Sequence, residues 1–150
     1  MKTFKQLNPD ALIKNTRRRI LLMGSGIGAL CLLNKVHVHQ PSSLKVIQPA
    51  KKTDASFIQR AFELRDRARL LGDQSYGAVI VRSGQIIGES WSRVILDSDP
   101  TGHAEMSALR DAAKRHGADI LTGAIMYSSS QPCSMCQAAA KWVGISSMIY

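Results

Sequence analysis

Two short stretches carry the residue types from which chemistry can be built. They are His103-Ala104-Glu105 and, about thirty residues on, Pro132-Cys133-Ser134-Met135-Cys136. Imidazole nitrogen and thiolate sulfur are the donors that a zinc ion prefers. The chain holds three cysteines, Cys31, Cys133 and Cys136, which is not the even, dispersed set that a disulfide framework needs. A C-x-x-C pair alone is open between a redox couple and a metal clamp. His103 decides for the metal if the fold brings it alongside.

One imidazole and two thiolates make three ligands. A structural zinc is normally closed by four, whereas a catalytic zinc keeps its fourth position for water. After residue 52 the other imidazole is His116, at the far end of the helix predicted to carry His103, and no cysteine follows Cys136. The predicted site is therefore His103, Cys133 and Cys136 around Zn(2+), with one corner open. Water at such an ion has its pKa lowered to about 7. Glu105, two residues after the first ligand, is placed to take a proton from that water and pass it to a leaving amine. The chemistry implied is hydrolytic deamination of a cyclic amidine, with release of ammonia.

Helix starts must position these groups. Proline is favoured in the first turn of a helix, so Pro132 predicts a helix over 133–143, and Thr101 is expected to cap another over 101–116. His103 and the cysteine pair then fall in first turns, where free N–H groups and the helix dipole favour thiolate. Residues i and i+3 share a face, so both sulfurs can reach one ion. Upstream, helical spacing over 54–71 is capped by Thr53 or Asp54 and ended by Gly72. The apolar run 76–81 predicts a buried strand, 82–85 its turn, and 86–91 a hairpin partner. A polar loop spans 92–100. Ile120 and Leu121 lead into a strand over 123–128, and 145–150 predicts another. Strands alternating with helices predict an α/β fold with a mixed central sheet.

The charge of the whole chain misleads until it is divided. Residues 1–52 hold ten Lys/Arg and one acid, whereas residues 53–150 hold ten of each. The net +9 lies entirely in the front segment, so no nucleic-acid partner is expected for the domain itself. The expected organisation is a leader over 1–33, a linker over 34–52 and a domain over 53–150. In the leader, Arg17-Arg18-Arg19 precedes an uncharged run of fourteen residues, 20–33, broken by Gly24, Gly26 and Gly28. A bilayer span wants about 20 apolar residues, while a basic region before a short apolar one is the layout of an export signal. Thr16 to Leu21 resembles the twin-arginine consensus. The expectation is periplasmic or extracytoplasmic location, through engagement of export machinery, with membrane anchoring if the leader stays uncut. His37 and His39 share one side of any extended segment, but without a third ligand they read as linker residues.

The order H-x-E…P-C-x-x-C is the signature of the zinc deaminases that act on nucleobases. From Asp54 to Tyr150 the chain resembles the cytidine deaminase-like superfamily, most closely its guanine deaminase branch. Asp99-Pro100-Thr101-Gly102-His103-Ala104-Glu105 is similar to that branch's Asp-Pro-Thr-Ala-His-Ala-Glu, and Tyr76-Gly77-Ala78-Val79-Ile80-Val81 agrees in order. The resemblance implies a three-layer α/β/α sandwich around five strands, and a homodimer. It also implies zinc on His103, Cys133 and Cys136, with Glu105 as general acid and base. Substrate contacts are implied at Tyr76, Gly77, Ser92, Ala104 and Pro132. Ser92 stands where the branch usually has an Asn that binds the base carbonyl, Gln131 replaces a common Glu, and Tyr76 a common Phe. The family continues for one more strand and further helices, so the domain is expected to be short at its C-terminus.

The function expected is deamination of a free purine base, guanine first, or of a related nucleoside. Two alternatives stand beside it: a tRNA-type adenosine deaminase, which shares the motifs but should carry a basic face, and a zinc-holding module without turnover.

Overall fold

Thr53 starts the first helix through two reciprocal bonds. Its hydroxyl accepts from the Ser56 N–H at 3.3 Å, and the Ser56 hydroxyl accepts from the Thr53 N–H at 3.1 Å, a capping box closed by serine. Helix α1 then runs Asp54–Leu70 and buries Phe57, Ala61, Leu64 and Ala68, a single stripe at helical spacing. Gly72, at φ 78°, turns the chain out of it. The computed structural model describes residues 45–150. The leader with its arginines, Cys31, the His37/His39 pair and the linker up to residue 44 lie outside the described residues. Among the described residues, no helix is long and apolar enough to cross a membrane.

Strands β1 (Gly77–Arg82) and β2 (Gln85–Trp91) form the expected hairpin. Ser83 and Gly84 between them both have positive φ, 50° and 69°, the geometry whose twist matches that of paired strands. Helix α2 (Ala104–His116) follows, then a 3-10 turn at Ala118–Leu121, strand β3 (Ile125–Ser128), helix α3 (Ser134–Trp142) and strand β4 (Ser147–Ile149). The sheet order is β2-β1-β3-β4. β1 runs antiparallel to both β2 and β3, while β3 and β4 are parallel. A parallel pair needs a crossover, and α3 supplies it.

Alternation along the strands sorts the core into two halves. Val79, Val81, Ile86 and Tyr127 pack with Phe57 and Leu64 of α1. Ala78, Ile80, Ile87 and Met126 pack with Ala104, Ala108, Leu109 and Ala112 of α2 and Ala140 of α3. Helices thus cover both faces, and the α/β/α sandwich with a mixed sheet is the architecture; the described residues form four strands. Two glycines let the layers close. A Cβ on Gly77 would stand 2.2 Å from the Ala61 carbonyl oxygen of α1, and one on Gly88 2.5 Å from the Ala112 nitrogen of α2. Those helices therefore lie directly on the strand backbone.

Three local expectations are corrected. Thr101 does not cap α2: its hydroxyl donates to Asp99 at 2.7 Å, and His103 occupies the N-cap position. A neighbouring carboxylate outcompetes the helix end for that hydroxyl. The helix expected over 133–143 is Ser134–Trp142: Cys133 is its N-cap and Pro132 stands one residue further out. Residues 120 and 121 belong to the 3-10 turn rather than to a strand lead-in.

One long-range bond clamps the α1 layer to the sheet. The Tyr127 hydroxyl donates to Asp54 Oδ1 at 2.7 Å, and its ring centroid lies 5.2 Å from that of Phe57. Tyr127→Phe keeps the ring packing and removes the bond, so a loss of about 1 kcal/mol is expected in urea unfolding with an unchanged m-value.

Candidate metal centre

His103 and Cys133 are both N-caps, with extended backbones at φ −57°, ψ 150° and φ −69°, ψ 168°. Neither side chain caps its own helix, so both are free to reach beyond the helix end. Cys136 lies one turn into α3 and is fully buried. The result is a tight cluster. Nδ1 of His103 is 3.5 Å from Cys133 Sγ and 3.7 Å from Cys136 Sγ, and the two sulfurs are 3.7 Å apart. A disulfide would hold the sulfurs at about 2.05 Å, and both cysteines are free. A tetrahedral zinc, with bonds of about 2.3 Å to sulfur and about 2.0 Å to nitrogen, spaces such ligands by about 3.5–3.8 Å. The donor set fits that ion in type, number and spacing.

The electrostatics ask for a cation as well. Burial pushes the Cys136 thiol far above its ordinary range, and the neighbouring Glu105 and Cys133 push it further. A divalent ion reverses that balance, because a coordinated thiol gives up its proton. Glu105 is itself buried, 5% exposed. Its Oε1 accepts a bond from the Ser128 hydroxyl at 2.9 Å, and its Oε2 lies 3.6 Å from Cys136 Sγ. One carboxylate oxygen is therefore held by the end of β3 while the other faces the donor cluster.

A profile of the cytidine and deoxycytidylate deaminase zinc-binding region matches residues 51–150. The chain belongs to that family. Membership names the ion for the three donors, since the region is zinc-binding. Guanine deaminase of Bacillus subtilis is 44% identical over 75 residues, which cover 50% of this chain and 48% of that protein. A tRNA-specific adenosine deaminase of Haemophilus influenzae is 42% identical over 87 residues, covering 57% and 50%. The chain spans about half the length of these curated relatives. The X-ray structure of the Bacillus subtilis guanine deaminase superposes with a TM-score of 0.63 at 38% identity, covering 65% of this chain and 63% of that one.

In this zinc-binding deaminase domain the other expected positions lie as follows. Ala104, fully buried, follows His103 into α2. Buried Pro132 precedes Cys133, and its carbonyl accepts from Gln137 Nε2 at 2.6 Å. The Gly77 N–H donates to Ser129 Oγ at 3.0 Å, joining β1 to the loop that leads to the cysteines. Tyr76 is exposed beside it. Ser92 is fully buried, and its hydroxyl donates to Asp73 at 2.7 Å rather than to a member of the donor cluster.

Sequence reasoning passes over Ser128. A serine ending a strand shows no pattern, although its place just ahead of the Pro-Cys loop is the available signal. Ser128→Ala leaves the three donors intact and frees the carboxylate to rotate. A bond to a charged group is worth about 1.5 kcal/mol or more, so turnover about tenfold lower with full zinc content is expected, read by steady-state kinetics and elemental analysis.

Proposed function

We propose that the domain is a hydrolytic deaminase of a free purine base, guanine first, or of a related nucleoside. The observation that carries this reading is the buried Glu105 carboxylate, held by Ser128 and turned toward three metal donors. His103, Cys133 and Cys136 would hold the zinc, which would supply Lewis acidity enough to lower the pKa of water to about 7. Glu105 accepts the proton of the attacking water and delivers it to the departing nitrogen. Water adds at the amidine carbon, the carbon–nitrogen bond breaks, and the base leaves as its oxo form with one ammonia. Ser128 keeps the carboxylate aimed through both transfers.

The guanine deaminase relative supports a purine base, and the balanced charge of residues 53–150 supports a small molecule over an RNA phosphate backbone. The tRNA-specific relative of similar identity favours a second reading, an adenosine in RNA. Our reading includes the homodimer that the family resemblance implies. It also includes export ahead of action, supported by the arginine run and short apolar segment of the leader.

Zinc-loaded protein is incubated with guanine, adenine, cytosine, their nucleosides and transfer RNA, and ammonia release is followed with Glu105→Gln as control. Ammonia from guanine that disappears in the variant is the expected result. Release from transfer RNA alone overturns the substrate class, and no release from any of them overturns the enzymatic reading.

A further inference from the structure

His103 needs a firmer hold than its own side chain receives. Among the described residues, the hydrogen-bond partners of its ring are the two sulfurs. In most zinc sites the second ring nitrogen is tied to a carboxylate or carbonyl that orients the ligand. Here the backbone in front of the histidine does that work. Gly102, the preceding residue, accepts a bond from the Arg93 N–H at 2.8 Å and donates one to the Asp99 carbonyl at 2.9 Å. It packs so closely that a Cβ there would lie 3.1 Å from the Arg93 carbonyl carbon. The imidazole is therefore placed by the loop 92–102.

That loop converges on one buried carboxylate. Asp73, 7% exposed, accepts four bonds. Its Oδ1 takes the Ser92 hydroxyl at 2.7 Å and the Gln74 N–H at 2.7 Å. Its Oδ2 takes the N–H groups of Ile95 at 3.1 Å and Leu96 at 2.9 Å. Its own N–H donates to the Ala68 carbonyl at the end of α1, so the carboxylate is anchored to a rigid helix. Burial works against the charge. The bonds from Leu96, Ser92, Gln74 and Ile95 outweigh it and hold the carboxyl below the usual range. An ionised group with four donors on it is a strong and directional fastener.

We propose that Asp73 is a positioning residue for the zinc ligand His103, acting through Ser92, Ile95 and Leu96 on the loop that ends at Gly102. The proposal rests on the metal centre of His103, Cys133 and Cys136 and is independent of the substrate. It also gives Ser92 a role other than reading a base: its hydroxyl is spent on the fastener. Without the carboxylate, the backbone of residues 92–97 loses its attachment to α1, Gly102 gains freedom, and the imidazole no longer meets the two sulfurs at ligand spacing.

The test uses the full chain and its Asp73→Ala, Asp73→Asn and Ser92→Ala variants. Zinc affinity is measured by competition with a chromophoric chelator, and ligand geometry by the visible absorption of the cobalt(II) form. Circular dichroism and thermal unfolding of the metal-free proteins establish that each is folded. About tenfold weaker zinc binding is expected for Asp73→Ala, with altered cobalt bands. Ser92→Ala, which spares the three backbone bonds, should lie between it and wild type. A folded Asp73→Ala protein with the zinc affinity and cobalt spectrum of wild type overturns the proposal. Should Asp73→Ala not fold, Asp73→Asn decides in its place: weaker zinc and altered bands sustain the role, wild-type values overturn it. Failure of wild type itself to bind zinc would strike the metal centre, a result distinct from the loss of Asp73's role alone.

Discussion

Glu105→Gln protein with a full complement of zinc should deaminate its base about 10²–10⁴-fold more slowly than wild type. The amide is almost the same size as the carboxylate and sits in the same buried place, 5% exposed, so packing is preserved. It can still accept the Ser128 bond at Oε1. What it cannot do is take a proton from water and return it to nitrogen. The loss should therefore fall on the rate of the chemical step, with substrate affinity and zinc content close to wild type. A single-turnover measurement beside elemental analysis checks this. Turnover at the wild-type rate in a zinc-loaded Glu105→Gln protein would remove the carboxylate from the mechanism.

Cys136→Ala should have the largest effect on the ion and on stability together. The sulfur is fully buried and touches both other donors and Glu105. Its removal leaves two ligands where at least three are needed, and zinc content should fall to near zero in purified protein. Metal that binds the folded chain stabilises it by mass action, about 4 kcal/mol when free zinc exceeds its dissociation constant about 1,000-fold. Treating wild type with a chelator should accordingly lower Tm by well over about 10 °C for a domain near 100 residues. The variant should start near that lower Tm and respond little to chelator or to added zinc. Calorimetric scans with and without chelator decide it, and equal zinc-dependent shifts in the two proteins would show that the ion sits elsewhere.

Cys136 and Glu105 both stand in short motifs, and the expectation placed on each follows from donor type and spacing within a few residues. Cys133 and Cys136 are on successive turns because they are three apart, and His103 and Cys133 open helices because of what surrounds them. The hairpin, too, is a local feature: a turn with Gly84 between two apolar runs. Strands alternating with helices point to an α/β layer with a mixed sheet from the chain alone; the α/β/α sandwich is what the family resemblance implies, and packing sorts Val79 and Val81 from Ala78 and Ile80.

Other features depend on groups that local patterns do not reveal. Thr101 looks like a helix cap, yet Asp99 takes its hydroxyl and leaves the N-cap to His103. That shift matters, because a residue at the N-cap has an extended backbone and can aim its side chain past the helix end. Ser128 is 23 positions from the carboxylate it holds, and Asp73 is 19 positions from Ser92. Nothing in the neighbourhood of Asp73 marks it, and Ser128 is marked only by its place just ahead of the Pro-Cys loop.

By itself the sequence determined the three donors, the carboxylate two residues after the first of them, and the order of strands and helices, because those depend on residue type and on short local periods. The tertiary structure alone decided which nitrogen of His103 meets the sulfurs, which hydroxyl steers Glu105, and which buried carboxylate anchors the loop before the histidine. Those are set where α2 meets α3 and β3, and where the chain after α1 meets the loop after β2, at separations the local chain cannot encode, and a hydrogen bond exists only once packing has brought its two ends within about 3 Å.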